Sequence, residues 1–202
     1  MRGGHGVVIT GSNERVGAVR VEVLADHWYV LRRATYDYTR RDGTVTTEVR
    51  EAYDRGNGAT ILLVDPEART VLLTRQFRLP AFVNGHPDGM LIESVGGLLD
   101  GDDPETAVRR EAEEESGVRV GDVRRVFELF MSPGSVTERV TFFVATYSHE
   151  QRVSAGGGRE DEGEDIEVLE LALDEALAMV GRGEIVDGKT VILLQWAAAN
   201  LR

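Results

Sequence analysis

The chain contains no cysteine. That excludes disulfides, thiolate catalysis and cysteine-ligated zinc. It also lacks any apolar run long enough to cross a bilayer, and its opening residues MRGGHGVVITGSNERVG lack the apolar core of a secretory signal. Cytoplasmic residence is therefore the expectation. Positive charge is scarce as well: 23 Lys and Arg stand against 35 Asp and Glu, a formal net charge of −12. Such a chain repels nucleic-acid backbones and anionic membranes, so neither is expected as a partner. It would also repel a small phosphorylated substrate unless bound divalent cations invert the local field.

What is present describes an ordinary soluble globular protein. Apolar residues make up 42% and charged residues 29% of 202 positions, enough for one sizeable domain with an appendage. Residues 17–54 read as strands, with alternation around RRATYDYT and a hairpin signal at Asp42-Gly43. Then follow apolar strands ATILLVD and TVLLTRQFR, a third strand in GMLIESVGG, a pair RRVFELFM and RVTFFVATY across SPGSVTE, and a last strand in DIEVLEL. LDEALAMV and TVILLQWAAANLR have helical spacing. The expected class is α+β, with a mixed sheet carrying helices on both faces. The expected division is a strand region over 1–58 and a main domain over 59–202.

PETAVRREAEEESGV, residues 104–118, is the segment whose pattern points to chemistry. Asp103 is a good N-cap, Pro104 suits the first helical position and Gly117 suits the left-handed end. On a helical wheel Glu105, Thr106, Arg109 and Glu113 share a solvated side, where Arg109 can pair with either acid at i,i+4. Ala107, Val108 and Ala112 should face a core, and their arc also contains Glu111 and Glu115. A buried ionised carboxylate is costly unless it is paired or coordinates a metal. The helix supplies no partner for these two, and they are suitable hard ligands for a divalent cation.

Two other stretches invite a reading. SAGGGREDEGEDIE has the composition of a mobile solvated loop, yet it leads directly into a strand of the same domain. GEIVDGKT, residues 183–190, fits the phosphate-loop pattern letter by letter. It follows a helix where a phosphate loop follows a strand, and it carries Ile185 and Val186 inside the loop, so it reads as a helix start.

Taken from Gly96, the series Gly96, Asp102, Arg110-Glu111-Ala112, Glu114-Glu115 and Gly117-Val118 resembles the Nudix box, with Asp102 standing where the box has Glu. The strings YDYTRRDG, YDRGNGATILL, RQFR, VNG, IES, GLLD, MSPGSVTE, AGGG, DEGEDIEVLEL and DGKT extend the resemblance over roughly residues 25–195, to the GDP-mannose pyrophosphatase branch, which is similar to the ADP-ribose pyrophosphatases.

The resemblance implies an α/β/α Nudix sandwich with an N-terminal antiparallel sheet that helps form a homodimer. It implies Mg²⁺, with Mn²⁺ as the alternative, bound by Glu111, Glu115, the carbonyl of Gly96 and Glu114. Arg110 would orient the box glutamates. Asp102, one methylene short, should reach its partner less well. The matching loop of the family brings a glutamate to the metals as base or ligand. Here that is Glu162 or Glu164, with Glu162 favoured.

Arg78 and Arg50 match substrate-contacting positions, Arg50 reaching across the dimer, and Glu138 matches another. Trp28 could offer an aromatic face to a base, although a core or interface aromatic fits it equally well. The implied reaction is Mg²⁺-dependent hydrolysis of a nucleoside diphosphate sugar, first GDP-mannose and otherwise ADP-ribose or a broader range. A non-catalytic nucleotide-sugar binding module is the reading from another class, and retention of Glu111, Glu114 and Glu115 weighs against it.

Overall fold

The fold is described from a computed structural model for residues 7–9 and 11–201, apart from the side chains of Val7 and Glu162. The chain divides into two units. One comprises the described residues up to Gly56 together with Ser132–Glu138; the other comprises Asn57–Met131 and the described residues from Arg139 onward.

In the first unit, β-rich alternation gives β1 (Val7–Ile9), β2 (Val19–Asp26), β3 (Val30–Thr39) and β4 (Val45–Asp54), an antiparallel sheet in the order β1-β2-β3-β4. The Asp42-Gly43 signal is the β3–β4 hairpin, where the Asp42 carboxylate accepts the Thr44 N–H at 2.9 Å. Ser132–Glu138 joins this unit through the backbone of Tyr53, whose N–H donates to Ser135 at 2.8 Å and whose carbonyl accepts from Thr137 at 3.1 Å. No described side chain of these four strands is fully buried.

The second unit runs β5 (Gly58–Asp65), β6 (Thr70–Phe77), α1 (Leu79–Val83), β7 (Met90–Glu93), β8 (Val95–Leu98), α2 (Pro104–Ser116), β9 (Val123–Phe130), β10 (Arg139–Thr146), β11 (Glu167–Ala172), α3 (Leu173–Arg182) and α4 (Gly188–Asn200). Its sheet has the order β11-β6-β5-β10-β9, with β7 added to β6 and β8 to β5. β5 and β10 run parallel and the other pairs antiparallel, so the sheet is mixed. Period-two alternation sends Leu62 and Val64 of β5 toward Leu173, Ala176, Leu193, Leu194 and Ala197 of α3 and α4. The alternate residues Ile61 and Leu63 face Val108 and Ala112 of α2. Helices thus cover both faces, which is the expected sandwich. Among the described residues no helix is long and apolar enough to cross a membrane.

Three local expectations need correction. GMLIESVGG is not one strand: β7 pairs with β6 and β8 with β5, breaking at Ser94. The reason is a side chain, because the Ser94 N–H donates to the Thr190 hydroxyl at 2.6 Å and so leaves the strand ladder. Leu79–Val83, inside the RQFR–VNG stretch, forms a short helix with Pro80 in its first turn. On α2 Arg109 pairs with Glu105 at 2.7 Å but not with Glu113, which Arg119 takes at 2.8 Å while Arg109 donates to the Gly121 carbonyl.

The string GEIVDGKT is a helix start. Asp187 caps α4, accepting the Thr190 N–H at 2.9 Å and its hydroxyl at 2.8 Å. Thr190 therefore links the α4 cap to the strand break. Thr190→Val removes the acceptor of a buried N–H, so it should lower unfolding free energy by about 1–3 kcal/mol in denaturant titration. Stability equal to the parent would show that the Ser94 contact is unimportant.

Candidate active site

The buried face of α2 carries the acids that the wheel turned inward. Ala107, Val108, Glu111, Ala112, Glu115 and Ser116 are its buried residues, and Glu115 is 1% exposed. Asp103 accepts the N–H groups of Glu105 and Thr106 at 3.1 Å, and Gly117 closes the helix in the left-handed region.

Glycines of β8 allow close approach, Gly97 to the Glu111 carboxylate and Gly96 to the β5 backbone. A Cβ on Gly97 would stand 2.5 Å from a Glu111 oxygen, and one on Gly96 would collide with the Ala59 carbonyl. Gly96 donates its N–H to Glu115 Oε2 at 3.2 Å. Burial pushes the Glu115 carboxyl well above the ordinary range, reinforced by the negative charge of Glu111 and, further down, Glu164; the Gly96 N–H and Arg78 oppose this.

Cations surround this pair. Arg110 reaches Glu111 at 3.0 Å, Glu114 at 3.1 Å and Asp102 at 3.9 Å. Arg159 lies 3.6 Å from the other Glu114 oxygen. Arg78 holds the buried Glu93 through Nε at 2.8 Å and Nη2 at 2.7 Å. Glu93 also faces Lys189 at 3.7 Å, which Asp187 holds at 2.7 Å. Glu93, Asp187, Lys189 and Arg159 were missed as site neighbours from sequence, although IES and DGKT mark three of them.

Comparison with known proteins gives the same frame. Residues 15–53 match the family described as the GDP-mannose pyrophosphatase NudK N-terminal domain, and residues 54–192 match the NUDIX domain. The chain belongs to the Nudix hydrolase family. It is 56% identical over 184 residues to a protein of Citrobacter koseri named GDP-mannose pyrophosphatase, covering 91% of this chain and 95% of that one. Proteins of the same name from Klebsiella pneumoniae and Escherichia coli K12 are 56% identical (90% of both chains) and 55% identical (91% of this chain, 95% of the relative).

In this Nudix hydrolase α2 is the box helix. Asp102 lies furthest from Arg110 among its three acids, at 3.9 Å. The loop expectation needs revising. The glycines of the acidic loop lie against α2 with hydrogen-bonded backbone: Gly157 and Gly158 donate to the carbonyls of Glu115 and Glu114 at 2.9 and 3.1 Å. Glu164 Oε2 accepts the Arg159 N–H at 2.9 Å. The side chain of Glu162 lies outside the described residues.

Trp28, Arg50 and Glu138 belong to the first unit. Trp28 is 81% exposed and stands edge-on to Tyr29. Arg55 lies over the Tyr29 ring and 3.5 Å from Glu138. Arg50 donates to the Val49 carbonyl at 2.7 Å and to Glu48 at 2.9 Å.

Nudix hydrolases use divalent metal ions, and the donor chemistry here fits one. Hard carboxylate oxygens of Glu111 and Glu115 share one buried face, and their repulsion is what a cation would relieve. Among the described residues no three acids or imidazoles already converge as a ligand sphere.

The raised Glu115 carboxyl has a consequence for stability with metal chelated. At low pH the folded and unfolded states are both protonated. As pH rises past the ordinary carboxylate value the unfolded chain releases its proton first, so the penalty on the folded state grows until its own higher value is passed and stays in full above it. Metal-free Glu115→Gln should therefore melt above the parent at neutral pH, the gap closing toward about pH 4. A lower melting temperature at neutral pH would contradict the burial argument.

Proposed function

We propose that this Nudix hydrolase cleaves GDP-mannose to GMP and mannose 1-phosphate, using Mg²⁺, with Mn²⁺ as the alternative ion. The observation that carries the reading is the length of the match. Relatives named GDP-mannose pyrophosphatase align along 90–95% of their own chains, and the N-terminal match covers the region outside the Nudix domain. The Nudix box accounts for the chemistry, and the N-terminal match favours this sugar nucleotide over ADP-ribose.

Glu111, Glu115 and the carbonyl of Gly96 would hold the ion, with Glu114 beside them. A bound divalent cation neutralises the diphosphate and acidifies the attacking water. Water oxygen bonds to one phosphorus, the P–O bond of the bridge breaks, and the other phosphate departs. A loop carboxylate takes the water's proton. Both Glu162, favoured by the sequence, and Glu164 are candidates; Glu164 sits on the loop whose backbone is bonded to the Glu114 and Glu115 carbonyls. Arg110 keeps Glu111 and Glu114 oriented, and Arg78, set by Glu93, offers a planar donor to the diphosphate. Arg50, Glu138 and Trp28 are assigned to the nucleotide sugar.

A panel of nucleoside diphosphate sugars assayed with Mg²⁺ tests the assignment. GDP-mannose should give the highest kcat/KM; a tenfold preference for ADP-ribose would overturn it.

We further assign residues 1–58 to dimerisation and to a wall of the substrate site, residues 59–202 to catalysis, and the whole to the cytoplasm, which suits a cysteine-free chain. The dimer reading rests on the N-terminal sheet. Val21, Ala34 and Arg50 stand in register on one face with Val23, Tyr36 and Tyr38, and none of these is buried. A four-stranded sheet with no buried side chain needs a packing partner. A second copy also suits Arg50, which shares that face. Ala34→Glu should shift sedimentation from dimer to monomer and raise KM. A parent protein that sediments as a monomer across the assay range would overturn the dimer.

A further inference from the structure

The acidic loop between Val153 and Ile166 carries a run of three glycines, and composition alone makes that run a hinge. The geometry makes it the opposite. Gly156, Gly157 and Gly158 have φ of +71°, +113° and +78°, three successive residues in a region that side chains disfavour. A Cβ on Gly156 would collide with the Glu115 carbonyl, and one on Gly158 would lie 2.5 Å from Glu164 Oε2 and 2.8 Å from Glu164 Cβ. Side chains are excluded at Gly156 and Gly158 by both conformation and contact, and at Gly157 by conformation.

What fills the space is hydrogen bonding. The last carbonyls of an α-helix have no partner within the helix. Here the Gly157 N–H takes the Glu115 carbonyl at 2.9 Å and the Gly158 N–H takes the Glu114 carbonyl at 3.1 Å. The same loop is tied at its start, where Val153 donates to the Gly117 carbonyl at 2.8 Å, and at its end, where Ile166 donates to the Gly157 carbonyl at 3.2 Å. Glu164 closes back on it, its N–H donating to the Arg159 carbonyl at 3.1 Å and its carboxylate accepting the Arg159 N–H.

Electrostatics bears on this fastening. The C-terminal end of α2 carries the negative pole of the helix, and Glu111 and Glu115 add two carboxylates on its inner face. The loop's acids are repelled from that end while its Arg159, 3.6 Å from Glu114, is attracted, and the backbone bonds hold whatever the balance of the two. We propose that Gly156–Gly158 are positioning residues: a backbone clasp on the end of the box helix that fastens the acidic loop, and Glu164 with it, to α2 against the negative charge of that helix. The consequence for catalysis rests on the proposed function above; the clasp itself does not.

The test has two arms on the full-length chain. In the first, amide hydrogen exchange without metal or substrate should show Gly157 and Gly158 protected to the level of α2. Exchange at the rate of an unstructured loop would overturn the clasp, whatever the protein hydrolyses. In the second, Gly158→Ala should lower kcat on GDP-mannose by roughly 10²-fold, with KM within a factor of about three and the protection of both amides lost.

Gly183→Ala is the control, since Gly183 has φ of +75° with nothing within 4 Å of an added Cβ; it should melt lower while kcat and protection stay at parent values. Glu164→Gln should reproduce the fall in kcat with the amides still protected. Parent kcat in Gly158→Ala, or an equal fall in Gly183→Ala, would reduce the glycines to a general stability effect and sink the proposal. Should Gly158→Ala fail to fold, the exchange arm on the parent and kcat of Glu164→Gln decide: unprotected amides or an unchanged kcat overturns it.

Discussion

The structure is organised around one unfavourable fact, the burial of the Glu115 carboxylate on the apolar side of a helix. A charge so placed costs several kcal/mol unless something compensates it, and each neighbouring feature can be read as a response. Gly97 leaves room for the neighbouring Glu111 carboxylate, and Gly96 supplies Glu115 with an N–H. Arg78 lends positive potential, yet Glu93 engages its guanidinium, so Arg78 contributes its field and not a tight pair. Arg110 takes Glu111 and Glu114 and leaves Glu115 to the Gly96 N–H. A divalent cation would complete this arrangement, which resolves the conflict between a chain of net charge −12 and a substrate that is itself anionic.

Much of this was legible in the sequence because it depends on short-range periodicity. The helix ends at Asp103 and Gly117, the inward turn of Glu111 and Glu115, the Asp42-Gly43 hairpin and the two-sided sheet all follow from spacings within a few residues. What escaped is non-local. Nothing in GMLIESVGG says that a hydroxyl 96 residues away will take the Ser94 N–H and split the strand. Arg109 had two acids at helical spacing, and the choice went to Glu105 because the loop after α2 brought Arg119 to Glu113 and two carbonyls to Arg109.

Two strings show that composition and pattern mislead in opposite directions. GEIVDGKT has the letters of a phosphate loop, but its aspartate caps a helix and its lysine lies between Asp187 and Glu93. Context settled that in advance, since the string follows a helix. AGGG has the letters of a flexible linker, and the strand that follows it, although it ties the loop to the domain, does not say what the glycines touch. Three glycines are equally what a chain requires when backbone must approach backbone, and only the positions of the Glu114 and Glu115 carbonyls distinguish the two uses.

The two units divide the physical work unevenly. Among the described residues every fully buried one lies in the second unit, which holds the box helix, Arg78, Glu93 and the acidic loop. It has the packed core needed to keep carboxylates in place against repulsion. The first unit has no such core and shows Trp28, Val23, Val45 and Val49 to solvent in a single chain. Chemistry that tolerates little displacement thus sits on the rigid part. The sheet that can pack on a partner carries residues assigned to the base and sugar, where contacts need only discriminate.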